Sequence, residues 1–197
     1  LAPELSSRLD QFSLYTSPRF VALFEAVGGD AGYLLIEEKG QQLAAIPIVE
    51  FGRAPLKRMQ ALPDGLPAPI WLAPDCADQS IQLHAAISKS IVSRGYLMSR
   101  LTDYDNLFVD DGWNVIPQVT SVIDLSPGGQ SELWDPPDKT LCAEIAKSHR
   151  DGVSVTRFNP STQMSLFLAL MSQTEERHGR KPKYPPRFWH ALAELAT

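Results

Sequence analysis

Apolar positions recur along the chain in two periods, and the alternation between them sets out the expected elements. Ser17-Pro18 opens the first clear helix, a side-chain cap followed by proline at the first helical position. Phe20, Leu23, Phe24 and Val27 then follow at helical spacing, and Gly28-Gly29 ends the run. Residues 33–37 and 43–49 read as two strands, with Lys39-Gly40 as a hairpin turn between them. Pro47 predicts an edge position or a bulge for the second strand. Residues 56–62 offer a third strand. Residues 80–94 form a helix on the stripe Leu83, Ile87 and Ile91, stopped by Gly95, and residues 96–101 follow as a buried strand. Residues 1–15 carry weak signals and read as irregular, with Leu9, Phe12 and Leu14 docking on a core.

The second half continues the alternation. Residues 119–125 read as a strand, and Pro127-Gly128-Gly129 turns the chain. Asp138 caps a helix whose one face carries Leu141, Cys142, Ile145, Ala146 and His149. Gly152 stops it, and residues 153–158, VSVTRF, alternate as a strand does. Asn159-Pro160-Ser161 caps a helix striped by Met164, Phe167, Leu168 and Met171, which ends at His178-Gly179. Pro186 starts a last helix with Phe188, Leu192 and Leu195 inward. Strands and helices in this order predict a mixed sheet with flanking helices, α+β or α/β in class. The Gly/Pro-rich stretch 127–137 is the best domain boundary.

Composition narrows the function classes. The chain has 197 residues, 44% hydrophobic and 21% charged, enough for one sizeable domain or two small ones. A net charge of -5 speaks against a DNA-binding chain, and only Tyr184 and Trp189 stand near the basic residues to stack on bases. Two cysteines make no disulfide scaffold and no metal spacing, which fits a reduced, cytoplasmic compartment. No apolar run reaches the length of a membrane span. A chain that begins with Leu1 and ends at Thr197 inside an expected helix reads as a fragment.

Candidate chemistry is sparse. The sequence holds no GxGxxG, Walker loop, HExxH or GxSxG. His84, inside a helix, reads as structural. His149 and His178 sit at helix ends, where the dipole favours a cation. Four aspartates between 103 and 111 match no calcium loop, and no metal is expected. Trp71, in a proline-rich stretch, either lines a cleft or covers a core. The most unusual segment is GRKPKYPP and its flanks. Arg177, Arg180, Lys181, Lys183 and Arg187 crowd beside His178 in a stretch stiffened by prolines. Such a segment suits a phosphate or carboxylate held by arginine forks, or is simply a solvated loop.

Several motifs in order resemble the FemAB-like branch of the GNAT acyltransferases. They are Ile123-Asp124-Leu125, Trp134, the helix over 139–148, the GVSV strand at 152–155, TEERHG at 174–179 and PPRFW at 185–189. The TSPRF helix start and the AAIPIVEFG strand resemble the family's entry helix and second strand. The resemblance implies a GNAT-like first domain over 1–130 and the beginning of a second over 131–197. It implies transfer of an acyl or aminoacyl group from acyl-CoA or aminoacyl-tRNA to an amine, in cell-envelope or polysaccharide metabolism. Under it, Lys147, Arg150, Arg177 and Lys183 are the anion contacts, with Trp71 a further substrate-side residue. Tyr184 and His178 are the candidate proton carriers. The helix departs from the family pattern, with Leu141 or Cys142 and Ala146 where arginines are usual. That departure implies a different or weaker ligand. It also supports an alternative, a non-catalytic GNAT-like module that recognises an anionic ligand or a partner protein. An open sheet edge would favour a homo-oligomer.

Overall fold

The computed structural model describes residues 1–63, 66, 70–102, 112–117 and 139–195. The chain divides into two compact units, one of residues 1–114 with 160–197, the other of residues 115–159. The boundary expected at 130/131, the strand over 119–125, Trp134, the aspartates between 103 and 111 and the Asp138 cap lie outside the described residues.

The larger unit is built on a hairpin. β1 (Asp30–Glu38) and β2 (Gln41–Phe51) pair antiparallel from Asp30 opposite Glu50 to Glu38 opposite Gln41. The two residues between them, Lys39 and Gly40, both take positive φ, 51° and 82°. Two left-handed residues in a row give the turn whose twist matches that of the strands. A bulge at Ile36/Glu37 absorbs one residue of register. β3 (Arg58–Gln60) pairs with the far end of β2, and the two-residue β4 (Trp71–Leu72) pairs with its near end at Ala44 and Ala45. β5 (Met98–Arg100) adds parallel to β3, so the path across the sheet is β1-β2-β3-β5.

Residues of β2 alternate between two apolar layers. Ala44, Ile46 and Ile48 pack with Leu34 and with Ile87 and Ile91 of α3 (Ser80–Ser93). Ala45 packs with Leu5 and Leu9 of α1 (Pro3–Phe12), and Val49 with Phe20 and Phe24. Helices therefore flank the sheet on both faces, and the mixed α and β class expected from the element order is present. Ser17 caps α2 (Pro18–Ala22) by accepting from the Phe20 N–H at 3.2 Å. The helix then tightens into a 3-10 turn over Leu23–Val27.

Four local expectations are corrected. Residues 3–12 are helical, because Pro3 presets the first turn and Leu5 and Leu9 share one buried face. Leu9 docks as expected, whereas Phe12 and Leu14 are exposed. Pro47 lies in the central strand, opposite Tyr33, between the stretch of β2 that pairs with β4 and the stretch that pairs with β3. The strand expected at 96–101 is only three residues long. Met98 and Arg100 are exposed, and among the described residues β5 pairs with β3 alone. Residues 153–158 form no strand, and among the described residues no strand pairs with this stretch, where Val155 is 98% exposed.

Two helices carry the rest of the larger unit, α5 (Pro160–Arg177) and α6 (Pro186–Leu195). The smaller unit contains α4 (Lys139–Arg150), ended at Gly152 by bonds from Val153 N–H to Ser148 and from Gly152 N–H to His149.

Candidate functional site: a pinned cationic turn

The basic segment lies between α5 and α6 and is held at both ends. Gly179 takes φ 67°, and its N–H and that of Arg180 reach back to the Glu176 and Glu175 carbonyls at 2.9 Å each. This left-handed closure satisfies the last carbonyls of α5 and fixes the exit of the turn. Arg180 folds over the same end, its Nε 2.9 Å from Oε2 of Glu175. On the other side, Phe188 enters the aromatic core, with its ring centroid 5.8 Å from that of Phe24. Tyr184 stacks on Phe188 at 4.2 Å and 18°, and Trp189 meets both rings edge-on. Phe167 of α5 closes on Trp189 at 5.2 Å. Arg187 donates its Nε–H to the Ala26 carbonyl at 2.6 Å, at the end of the 3-10 turn. A cation suits that position, where unpaired carbonyls gather.

The candidate residues therefore part ways. Arg177, His178, Lys181 and Lys183 are exposed along the turn. Arg180 and Arg187 are committed to the fold. Tyr184 is half-buried by its stack. Lys147 and Arg150 lie exposed in the last turn of α4, in the smaller unit. Trp71 is 5% exposed among Leu5, Leu9, Ala45 and Leu83, so of its two sequence readings it takes the core one, not the cleft. His84 is likewise buried, its Nδ1 at the Ser80 carbonyl of its own helix. Among the described residues, no group of three or more His, Cys, Asp or Glu is placed to hold a metal. Nor is any helix among them long and apolar enough to cross a membrane.

Two features escaped the sequence reading. At the far end of β2, Glu50 accepts from Lys57, Nζ to Oε2 at 2.7 Å, and from the Tyr96 hydroxyl. Lys57 also sits 5.6 Å from the centroid of the Tyr96 ring. Burial pushes the Glu50 carboxyl up, but the bonds from Lys57 and Tyr96 outweigh it and hold it below the ordinary carboxylate range. The bond to Glu50 raises Lys57, and burial followed by the same carboxylate raises Tyr96. No sequence spacing signals this cluster, because Glu50 and Tyr96 are 46 positions apart. The second feature is an open groove of 440 Å³ between α2 and β1, lined by Val21, Ala22, Glu25, Ala31, Tyr33 and Leu35 among others. Tyr33 anchors its wall by donating to the Thr16 carbonyl at 2.7 Å, and burial, then the charge of Asp10, pushes its phenol well above the usual range.

Against this geometry, no protein family, curated protein or solved structure was found to match the chain.

Proposed function

We propose that this chain serves the transfer of an acyl or aminoacyl group from acyl-CoA or aminoacyl-tRNA to an amine acceptor in cell-envelope or polysaccharide metabolism. Its α5–α6 turn holds an anionic part of a reactant. The observation that carries the reading is the turn itself. Arg177 is exposed at the end of α5, and Lys181 and Lys183 are exposed on the loop after it, which is fixed by the α5 closure, by Arg187 on Ala26 and by the Tyr184–Phe188 stack. Cations on a prefixed backbone lose little freedom on capturing a phosphate. Both donor classes carry phosphates. A mixed sheet flanked by helices is the frame that the GNAT-like resemblance implies. His178, exposed beside Arg177, is the proton carrier of this reading.

A second reading, a non-catalytic module that recognises an anionic ligand or a partner, is favoured by one observation. The groove beside β1 is lined by none of the turn's residues, so that concavity does not carry the charge of the turn. Calorimetric titration of acetyl-CoA and of aminoacyl-tRNA into the protein separates the outcomes. The proposal expects binding of a donor, weakened about tenfold by Arg177→Gln with Lys181→Gln and by added salt. It also expects product with an amine acceptor. Binding without product assigns the module, and no binding of either donor overturns both donor readings.

A further inference from the structure

Charge is unevenly placed in the larger unit. Residues 51–63 and 80–101 carry six basic side chains, Arg53, Lys57, Arg58, Lys89, Arg94 and Arg100, and no Asp or Glu, in a chain of 23 acids and net charge -5. Phe51 pairs with Arg58, and Arg58 with Met98, so the loops over 52–57 and 94–97 share one end of the sheet. The Lys39-Gly40 turn lies at the other end.

The two loops are tied together. The Leu97 N–H donates to the Lys57 carbonyl at 2.8 Å, and the Leu56 N–H closes a turn on the Arg53 carbonyl at 2.8 Å. Glu50 takes Lys57 from one loop and Tyr96 from the other, and the Arg94 charge reaches both Glu50 and Tyr96. On this fixed base Leu56 is 64% and Leu97 63% exposed. One exposed leucine is ordinary. Two on adjoining backbones, in company with the exposed Arg53, Arg58 and Arg94, mark a contact surface. Among the described residues, the acids at this end are Glu50, bonded to Lys57, and Asp30 at the start of β1.

The cations alone would suit any polyanion. Exposed leucines gain nothing from a phosphate chain, however, and the Tyr96 ring is occupied by Glu50 and Lys57 instead of being offered to a base. Cations beside aliphatic tips match a bilayer interface, where guanidinium groups meet lipid phosphates and the tips enter the acyl boundary. We infer that this end of the sheet docks on an anionic lipid surface, with Leu56 and Leu97 inserted and Arg53, Arg58 and Arg94 on the headgroups. The net negative charge of the chain is repelled from the same surface, which orients the contact.

Co-sedimentation of the full chain with vesicles of phosphatidylcholine and phosphatidylglycerol, and with vesicles of phosphatidylcholine alone, tests the contact. Binding is expected to the mixed vesicles only, weakened about tenfold by Arg53→Gln with Arg94→Gln and by added salt. Leu56→Ser with Leu97→Ser weakens it by a similar factor at unchanged charge, while circular dichroism shows both variants folded as the wild type. On a Cys142→Ser background, a bimane label at Leu56→Cys shifts to the blue on the mixed vesicles, and one at Lys39→Cys does not. No binding to the mixed vesicles, binding indifferent to the leucine pair, or capture of an oligonucleotide with the same arginine dependence and no leucine dependence overturns the inference.

Discussion

α6 and α4 carry the same kind of pattern and meet different fates. Both are amphipathic helices, of 10 and 12 residues. α6 delivers Phe188 to 6% exposure in a ring cluster with Phe20 and Phe24. In α4, Ile145 on the apolar face is 41% exposed. An apolar stripe states that a helix has a face to bury. It does not state what buries it. For α6 that partner is a 3-10 turn more than 150 positions earlier in the chain, secured by a bond spanning 161 positions from Arg187 to Ala26.

The sharpest break of this comparison is a matched pair of truncations. Phe188→Ala removes a ring that touches Phe24 and Tyr184, and it costs about 3–5 kcal/mol in urea unfolding. Ile145→Ala, on an exposed face, shifts the same transition by no more than about 0.5 kcal/mol. Equal losses would show that α4 is as firmly covered as α6.

Next in size is the polar lock at the far end of the hairpin. Glu50→Gln leaves Lys57 without its counter-charge and lowers the urea midpoint near neutral pH, an effect that added salt reduces because the lysine faces solvent. The carboxyl titrates below its ordinary value of 4.5 in the fold, so its contribution is complete above that pH. The contribution is lost as pH falls through the folded value. Acid unfolding of the wild type is therefore steeper than that of the variant, read by circular dichroism from pH 6 to about pH 3.

The turn gives the two smaller effects. Gly179→Ala forces a Cβ onto φ 67° and costs about 1 kcal/mol in the same unfolding assay. Arg180→Ala breaks only a solvent-facing pair with Glu175 and costs less than about 1 kcal/mol, an effect that salt erases. If Arg180→Ala proved the costlier of the two, the turn would be held by charge and not by its backbone closure.

The legible parts of the fold are those written in local chemistry. Alternation and Lys39-Gly40 make the hairpin readable, and Ser17-Pro18 makes α2 readable, because cap, turn and stripe lie within a few residues. α1 is harder to read because only Leu5 and Leu9 mark its buried face. Residues 153–158 show the opposite failure, a strand pattern with no strand beside it among the described residues. Pro47 misleads for a related reason. Proline marks a missing donor, and here the strand's neighbours part around it and not at the sheet's rim. The candidate site was legible as a cluster of charge. Which charges remain available was not, because Arg187 is occupied by a carbonyl from the other end of the chain.

The most direct test of the central claim, that the α5–α6 turn is a prefixed anion site, is an amide-resolved NMR titration with acetyl-CoA. The account predicts shifts concentrated in residues 177–184, saturating with ligand and abolished in the Arg177→Gln, Lys181→Gln protein. Shifts centred on other residues, or shifts that persist in that variant, would contradict it.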